Sequence, residues 1–102
     1  MQVRDGKLEA AADCCRQALA LVEKLVADNP KDPQYGKDLA EIYRVTASLH
    51  QAAGRADAAA AARKKALGTV EQLAKDHPER ADVQDLLREV QSEEKKAKDV
   101  PP

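Results

Sequence analysis

The stretch GKLEAAADCCRQALALVEKLVADNP, residues 6–30, returns as GRADAAAAARKKALGTVEQLAKDHP, residues 54–78, a shift of 48 positions that leaves 11 of 25 residues unchanged. The identities are Gly6/Gly54, Ala10 to Ala12 against Ala58 to Ala60, and Ala18-Leu19, Val22-Glu23, Leu25, Asp28 and Pro30 against Ala66-Leu67, Val70-Glu71, Leu73, Asp76 and Pro78. Leu39/Leu87 and Glu41/Glu89 carry the register further downstream. A repeat unit with one apolar face cannot bury that face alone, so such units stack and leave a long surface for partners. The pattern therefore points to binding rather than catalysis.

Within the repeat, apolar residues recur at steps of three and four. Leu8, Ala11, Ala12, Cys15, Ala18, Leu19, Val22, Leu25 and Val26 line one side of a first helix, residues 7–28. Asn29-Pro30 stops it, because the residue before proline avoids the α region and proline lacks an amide hydrogen. Asp32 and Pro33 open a second helix over 33–53, with a carboxylate to accept the first free amides and a proline where its missing N–H is harmless. Its stripe runs Tyr35, Leu39, Ile42, Tyr43, Thr46, Leu49, His50 and Ala53, and Gly54 can close it in the left-handed conformation.

So short a joint folds a third helix, 55–76, back antiparallel on the second. Its first half is nearly all alanine, which lets two backbones approach without loss of helix propensity. Gly6 is expected to serve a turn as Gly54 does, and Gly68 in mid-helix suggests a second very close helix contact. A fourth helix, 79–98, places Val83, Leu86, Leu87 and Val90 inward before its apolar stripe ends in Gln91-Ser92-Glu93-Glu94-Lys95-Lys96, the polar outer face of a C-terminal cap. Residues 99–102 read as tail. Shifting the second helix back by one period would place its copy before Met1, so the first helix is expected to show an uncovered apolar side around Leu8, Ala12 and Leu19.

The bulk numbers agree with one helical domain. At 102 residues the chain has room for one modest core, burying about two-thirds of its unfolded surface. Phe and Trp are absent, and Tyr35 and Tyr43 are the only aromatics. Seventeen basic and 18 acidic side chains leave a net charge of −1, too little to steer nucleic acid or an anionic membrane. No segment approaches the ~20 apolar residues of a membrane span. Cys14 and Cys15 are helix neighbours whose side chains diverge by about 100° and do not bridge easily, which fits a reducing cytoplasm.

The segment from Tyr43 to Ala66 resembles a tetratricopeptide repeat. Gly54-Arg55-Ala56-Asp57-Ala58-Ala59 stands where that family has its glycine-led turn and small residue, followed by Lys65-Ala66-Leu67. Gly6-Lys7-Leu8-Glu9-Ala10-Ala11 with Gln17-Ala18-Leu19 forms a second copy. Tyr43, Ala47, Ala59 and Ala66 match the family's aromatic or small positions, whereas Arg63 occupies one where an aromatic is usual. The period exceeds the ordinary 34 residues and is similar to the long-helix versions in kinesin light chains and large bacterial multi-repeat proteins.

The resemblance implies an all-α, right-handed solenoid fragment of antiparallel hairpins, with repeat one over 6–53 and repeat two with its capping helix over 54–98. In such stacks the first helix of each pair lines the concave groove. Carried over position by position, Glu41, Arg44, Ser48 and Gln51 of the second helix face that groove, with Glu89, Ser92 and Lys96 of the fourth helix and Lys37 at the rim. Those side chains would capture a peptide or partner protein by charge and hydrogen bonding; the alternative reading is a merely solvated face. The resemblance further implies a cytoplasmic scaffold, the C-terminal part of a larger bacterial protein, such as one carrying a signalling kinase domain. The other function class open to the chain is self-association, as a homodimer through the face of the first helix.

Catalytic spacing is absent. Glycines at 6, 36, 54 and 68 are too scattered to cradle a phosphate, and His50 and His77 share no helical face for a metal. The basic runs Arg63-Lys64-Lys65 and Lys95-Lys96 are diluted by acidic neighbours and lack an aromatic platform for nucleic acid. The sequence thus calls for no enzyme, no cofactor, no metal, no nucleic acid and no membrane.

Overall fold

A computed structural model describes the backbone of residues 2–99 and the side chains of residues 7–96. It contains four helices, α1 (Gln2–Asp28), α2 (Pro33–Ala52), α3 (Ala56–Asp76) and α4 (Ala81–Asp99), and no strand among the described residues. Asp99, expected in the tail, closes α4, and the rest of that tail, 100–102, lies outside the described residues. Among the described residues no helix is long and apolar enough to cross a membrane.

The punctuation acts where the local chemistry demands it. At the end of α1 the Asn29 amide and its side-chain Nδ2 both donate to the Leu25 carbonyl, at 2.9 and 3.0 Å, satisfying an acceptor that helix termination leaves free. Asp32 caps α2 by accepting from the Gln34 amide at 3.0 Å, with Pro33 in the first turn. At the other end Gly54 takes φ +77, and the amides of Gly54 and Arg55 return to the carbonyls of Gln51 and His50 at 3.1 and 2.8 Å. Arg55, expected as the first residue of the third helix, is its cap instead. The fourth helix starts at Ala81 rather than 79, after a turn closed by the Arg80 amide on the His77 carbonyl at 3.1 Å.

Two glycine expectations are corrected. Gly6 serves no turn but lies inside α1, which starts at Gln2, five residues earlier than expected. The left-handed glycine of the α2–α3 joint accompanies two helices folding back on each other; no such hairpin closes at Gly6, so the helix runs through it at a cost of about 1 kcal/mol in propensity. Gly68 makes no close contact: a Cβ there would have nothing within 4 Å. The tight approach is at Gly36 of α2, where a Cβ would lie 2.5 Å from Leu73 Cδ2 of α3.

Each helix packs on the next in the chain, α1 on α2, α2 on α3 and α3 on α4, giving a flat body of 46 × 32 × 17 Å. Five of the nine buried apolar residues among the described residues are alanines, Ala40, Ala47, Ala59, Ala62 and Ala66, so backbones rather than long side chains meet in the interior. Ala40, Ala66, Val70 and Val90 form the central cluster, flanked by Tyr43, Leu67, Leu86 and Leu87.

The first helix is the least covered. Leu8, Ala12 and Leu19, expected on its open side, are half-buried, and the apolar residue that stands in solvent is Leu21, 61 % exposed. Because α1 lies against α2, the side that carries most of its apolar stripe is the covered one.

Candidate functional site

Helices α2 and α4 run in the same direction, and two polar junctions tie them together. Lys37 Nζ donates to Asp82 Oδ2 at 2.9 Å near their N-terminal ends. Further along, Arg44 makes a forked pair with Glu93, Nε to Oε1 at 3.0 Å and Nη2 to Oε2 at 2.6 Å, the planar bidentate geometry that guanidinium and carboxylate favour. Glu41 joins at 3.0 Å and Glu89 at 3.8 Å, so three carboxylates surround one guanidinium whose side chain is 22 % exposed. These carboxylates, Glu93 first, raise the Arg44 pKa against the opposing effect of burial.

Beyond this clasp, toward the C-terminal ends of both helices, opens a cleft of about 910 Å³. Val45, Ser48, Gln51 and Ala52 of α2 form one wall, and Val90 and Lys96 of α4 the other. Its floor is α3, with Ala56, Arg63 and Ala66. The small floor residues are what admit the cleft: alanines let α3 sit between the walls without filling the space. Arg63 Nε is buried there and has no hydrogen-bond partner among the described residues. Glu41 and Glu93 are already engaged by Arg44, whereas no ion pair involves Arg63 or Lys96 among the described residues. Arg44 offsets one of the three carboxylates around it, so the distinctive feature of the cleft is local rather than a net charge: a buried Arg63 Nε with no hydrogen-bond partner among the described residues.

Of the residues expected in the groove, Glu41, Arg44, Ser48, Gln51 and Lys96 line the cleft together. Glu89 stands at its edge against Arg44. Ser92 is exposed and does not line it, and Lys37 is engaged with Asp82 away from it. Sequence reasoning missed Glu93, Arg63 and Val45. For Glu93 a signal existed, since it lies one helical turn beyond Glu89. Arg63 was legible as inward-facing, but only the packing of α3 between two walls turns that side into a floor.

Elsewhere, Tyr43 sits with its hydroxyl 3.5 Å from Glu23 of α1 and its ring 5.9 Å from Lys65 Nζ. Burial and then the Glu23 charge raise its pKa. The carboxyl of Asp82 is held well below the usual carboxylate range, first by hydrogen bonds from Arg80 and then by Lys37. A carboxyl more acidic in the folded chain contributes stability above its ordinary value of 3.8, and that contribution fades as pH falls below it. The Asp82 side chain is 40 % exposed, so solvent screening reduces the effect. Denaturant titrations should show Asp82→Asn less stable than wild type at neutral pH, with the gap closing in acid; a gap that widened in acid would assign Asp82 a different role.

Arg16 and Asp13 pair along α1 and Arg88 and Asp85 along α4, in exposed positions worth only about 0.3–0.5 kcal/mol each. Cys14 is exposed and Cys15 half-buried, both as free thiols. Comparison of the chain with protein-family models, with curated proteins and with solved structures returns no match.

Proposed function

We propose that the chain is a protein-interaction module, a tetratricopeptide-like stack of helical hairpins whose cleft between α2 and α4 takes up an extended segment of a partner protein carrying an acidic side chain. The observation that carries this reading is Arg63 on the cleft floor, whose buried Nε has no hydrogen-bond partner among the described residues, with Lys96 also lining the cleft. A carboxylate entering beside Arg63 would satisfy a buried donor, the kind of contact that gives a groove selectivity as well as affinity. Ser48 and Gln51 supply hydrogen bonds to a peptide backbone, and Val45, Ala52 and Val90 an apolar wall for its other side chains.

The repeat supports the same architecture. Positions of α4 one period after the buried Gly36, Ala40 and Ala47 of α2 hold Gln84, Arg88 and Lys95. A further helix could not seat closely on such residues, which suits α4 to cap a stack.

The test is fluorescence anisotropy with a labelled, uncharged-ended peptide of alternating Glu and Ala, against a matched Lys–Ala peptide. The acidic peptide should bind in a salt-sensitive manner and lose at least tenfold in affinity with Arg63→Glu. Equal responses to both peptides, or binding indifferent to Arg63→Glu, would sink the proposal.

A further inference from the structure

The repeat provides an internal standard for how much cover such a helix receives. In α3, Ala59, Ala62, Ala66, Val70 and Leu73 are buried. One period earlier in α1 stand Ala11, Cys14, Ala18, Val22 and Leu25, of which Cys14 is exposed and the others are only half-buried. The cause is packing, since α3 lies between α2 and α4 whereas α1 is covered chiefly by α2. The uncovered side also differs in chemistry from its counterpart: Leu21, 61 % exposed, replaces Thr69, and Cys14 replaces Ala62. The chain thus carries more apolar bulk on the side left open than on the equivalent side that is closed.

Two candidate occupants fit poorly. A helix seated as closely as α2 sits on α3, where Gly36 leaves no room for a Cβ beside Leu73, suits Ala62 and Thr69 better than the bulkier Cys14 and Leu21. The α4 helix of another copy, placed in the role α2 has toward α3, would bring Gln84, Arg88 and Lys95 to the contact. What does match this side is itself. Ala11, Cys14, Ala18, Leu21 and Leu25 follow at alternating steps of three and four, with Lys7 and Asp28 extending the same spacing at either end, which is the seam of a coiled coil. Small residues fill its N-terminal half and leucines its C-terminal half. Antiparallel pairing of two copies sets the Ala/Cys half of each against the Leu half of the other and brings the Lys7 end beside the Asp28 end. Parallel pairing would stack leucine on leucine, leave the small residues gaping, and put like charges together at both ends.

We propose that α1 is a dimerisation helix, on which a second copy of this chain docks antiparallel about a twofold axis through the seam of Cys14, Ala18, Leu21 and Leu25. The contact is isologous and closes on itself, so it makes dimers and not fibres. It lies on α1, remote from the α2–α4 cleft, and stands whether or not that cleft binds peptide.

Sedimentation equilibrium of the whole chain under reducing conditions should yield twice the 11.1 kDa chain mass. Leu21→Glu should sediment as a monomer with unchanged helical circular dichroism, because Leu21 touches solvent and not the core. A wild type that stays monomeric across the concentration range, or a Leu21→Glu chain that still dimerises, would overturn the inference. Orientation is read by mild oxidation: Leu21→Cys should form a covalent dimer joining position 21 to the partner's Cys14, whereas a wild-type dimer linked from Cys14 to Cys14 would overturn the antiparallel arrangement.

Discussion

Replacing Gly36 by leucine is expected to lower stability by about 3 kcal/mol, the upper end of ordinary overpacking, while the same replacement at Gly68 is expected to raise it by about 0.5–1 kcal/mol. Both glycines sit inside helices, and helix propensity alone would make both changes favourable. The neighbours differ. At Gly36 even a Cβ would approach Leu73 Cδ2 to 2.5 Å and Leu73 Cγ to 3.0 Å, so a full side chain must push α2 away from α3. That contact joins the start of α2 to the end of α3, and separating it loosens the hairpin around Ala40, Ala66 and Val70. At Gly68 there is open space within 4 Å. With roughly 4–8 °C of midpoint shift per kcal/mol for a domain of this size, thermal unfolding by circular dichroism separates the two variants clearly. Equal shifts in the same direction would show that backbone propensity, and not the α2–α3 approach, decides the role of Gly36.

Arg44→Glu has the second large effect, and it acts on the cleft as well as the fold. The substitution removes the cation that Glu41, Glu89 and Glu93 share at that junction and puts a fourth carboxylate in its place. Loss of the bidentate pair together with like-charge repulsion should cost about 2 kcal/mol at low salt, less at high salt as screening relieves the repulsion. With the clasp gone, α2 and α4 are held by Lys37 and Asp82 and by their common packing on α3, so the walls of the cleft move apart. Adding Glu93→Arg recreates the pair in reverse and should recover more than half of the loss. A double variant no more stable than the sum of its two single changes would show that the residues are neighbours without energetic coupling.

The helices were legible because each was written in local chemistry. Apolar steps of three and four, Asn29-Pro30, Asp32-Pro33 and Gly54 act within a turn or two of backbone, and the observed boundaries fall close to where they place them. The glycines show where such reading stops. Gly6 and Gly54 are identical in the repeat, yet Gly6 lies within α1 whereas Gly54, at φ +77, turns the chain between α2 and α3. Gly36 and Ala40 lie off the stripe read for α2, yet both are buried, while Gly68, read as a close helix contact, lies on the exposed side of α3.

For the cleft, the shift of one period carried Glu41, Arg44, Ser48, Gln51 and Lys96 to one place, since side chains on the same face of repeated helices recur at the same angle. The clasp did not follow from that pattern. Whether Glu89, Glu93 or Asp82 meets a given cation depends on the distance between two helix axes and their relative slide, differences of an ångström or two in which no single helix has a say. Local periodicity and turn chemistry therefore determined the number, extent and order of the helices. Tertiary packing alone decided which glycine is crowded, which carboxylates share Arg44, that Arg63 Nε is buried on the floor of the cleft with no hydrogen-bond partner among the described residues, and that Leu21, and not Leu19, meets the solvent. The reason is range: a helix is set by contacts three and four residues apart, whereas these features are set by residues tens of positions away that only the packed chain brings within reach.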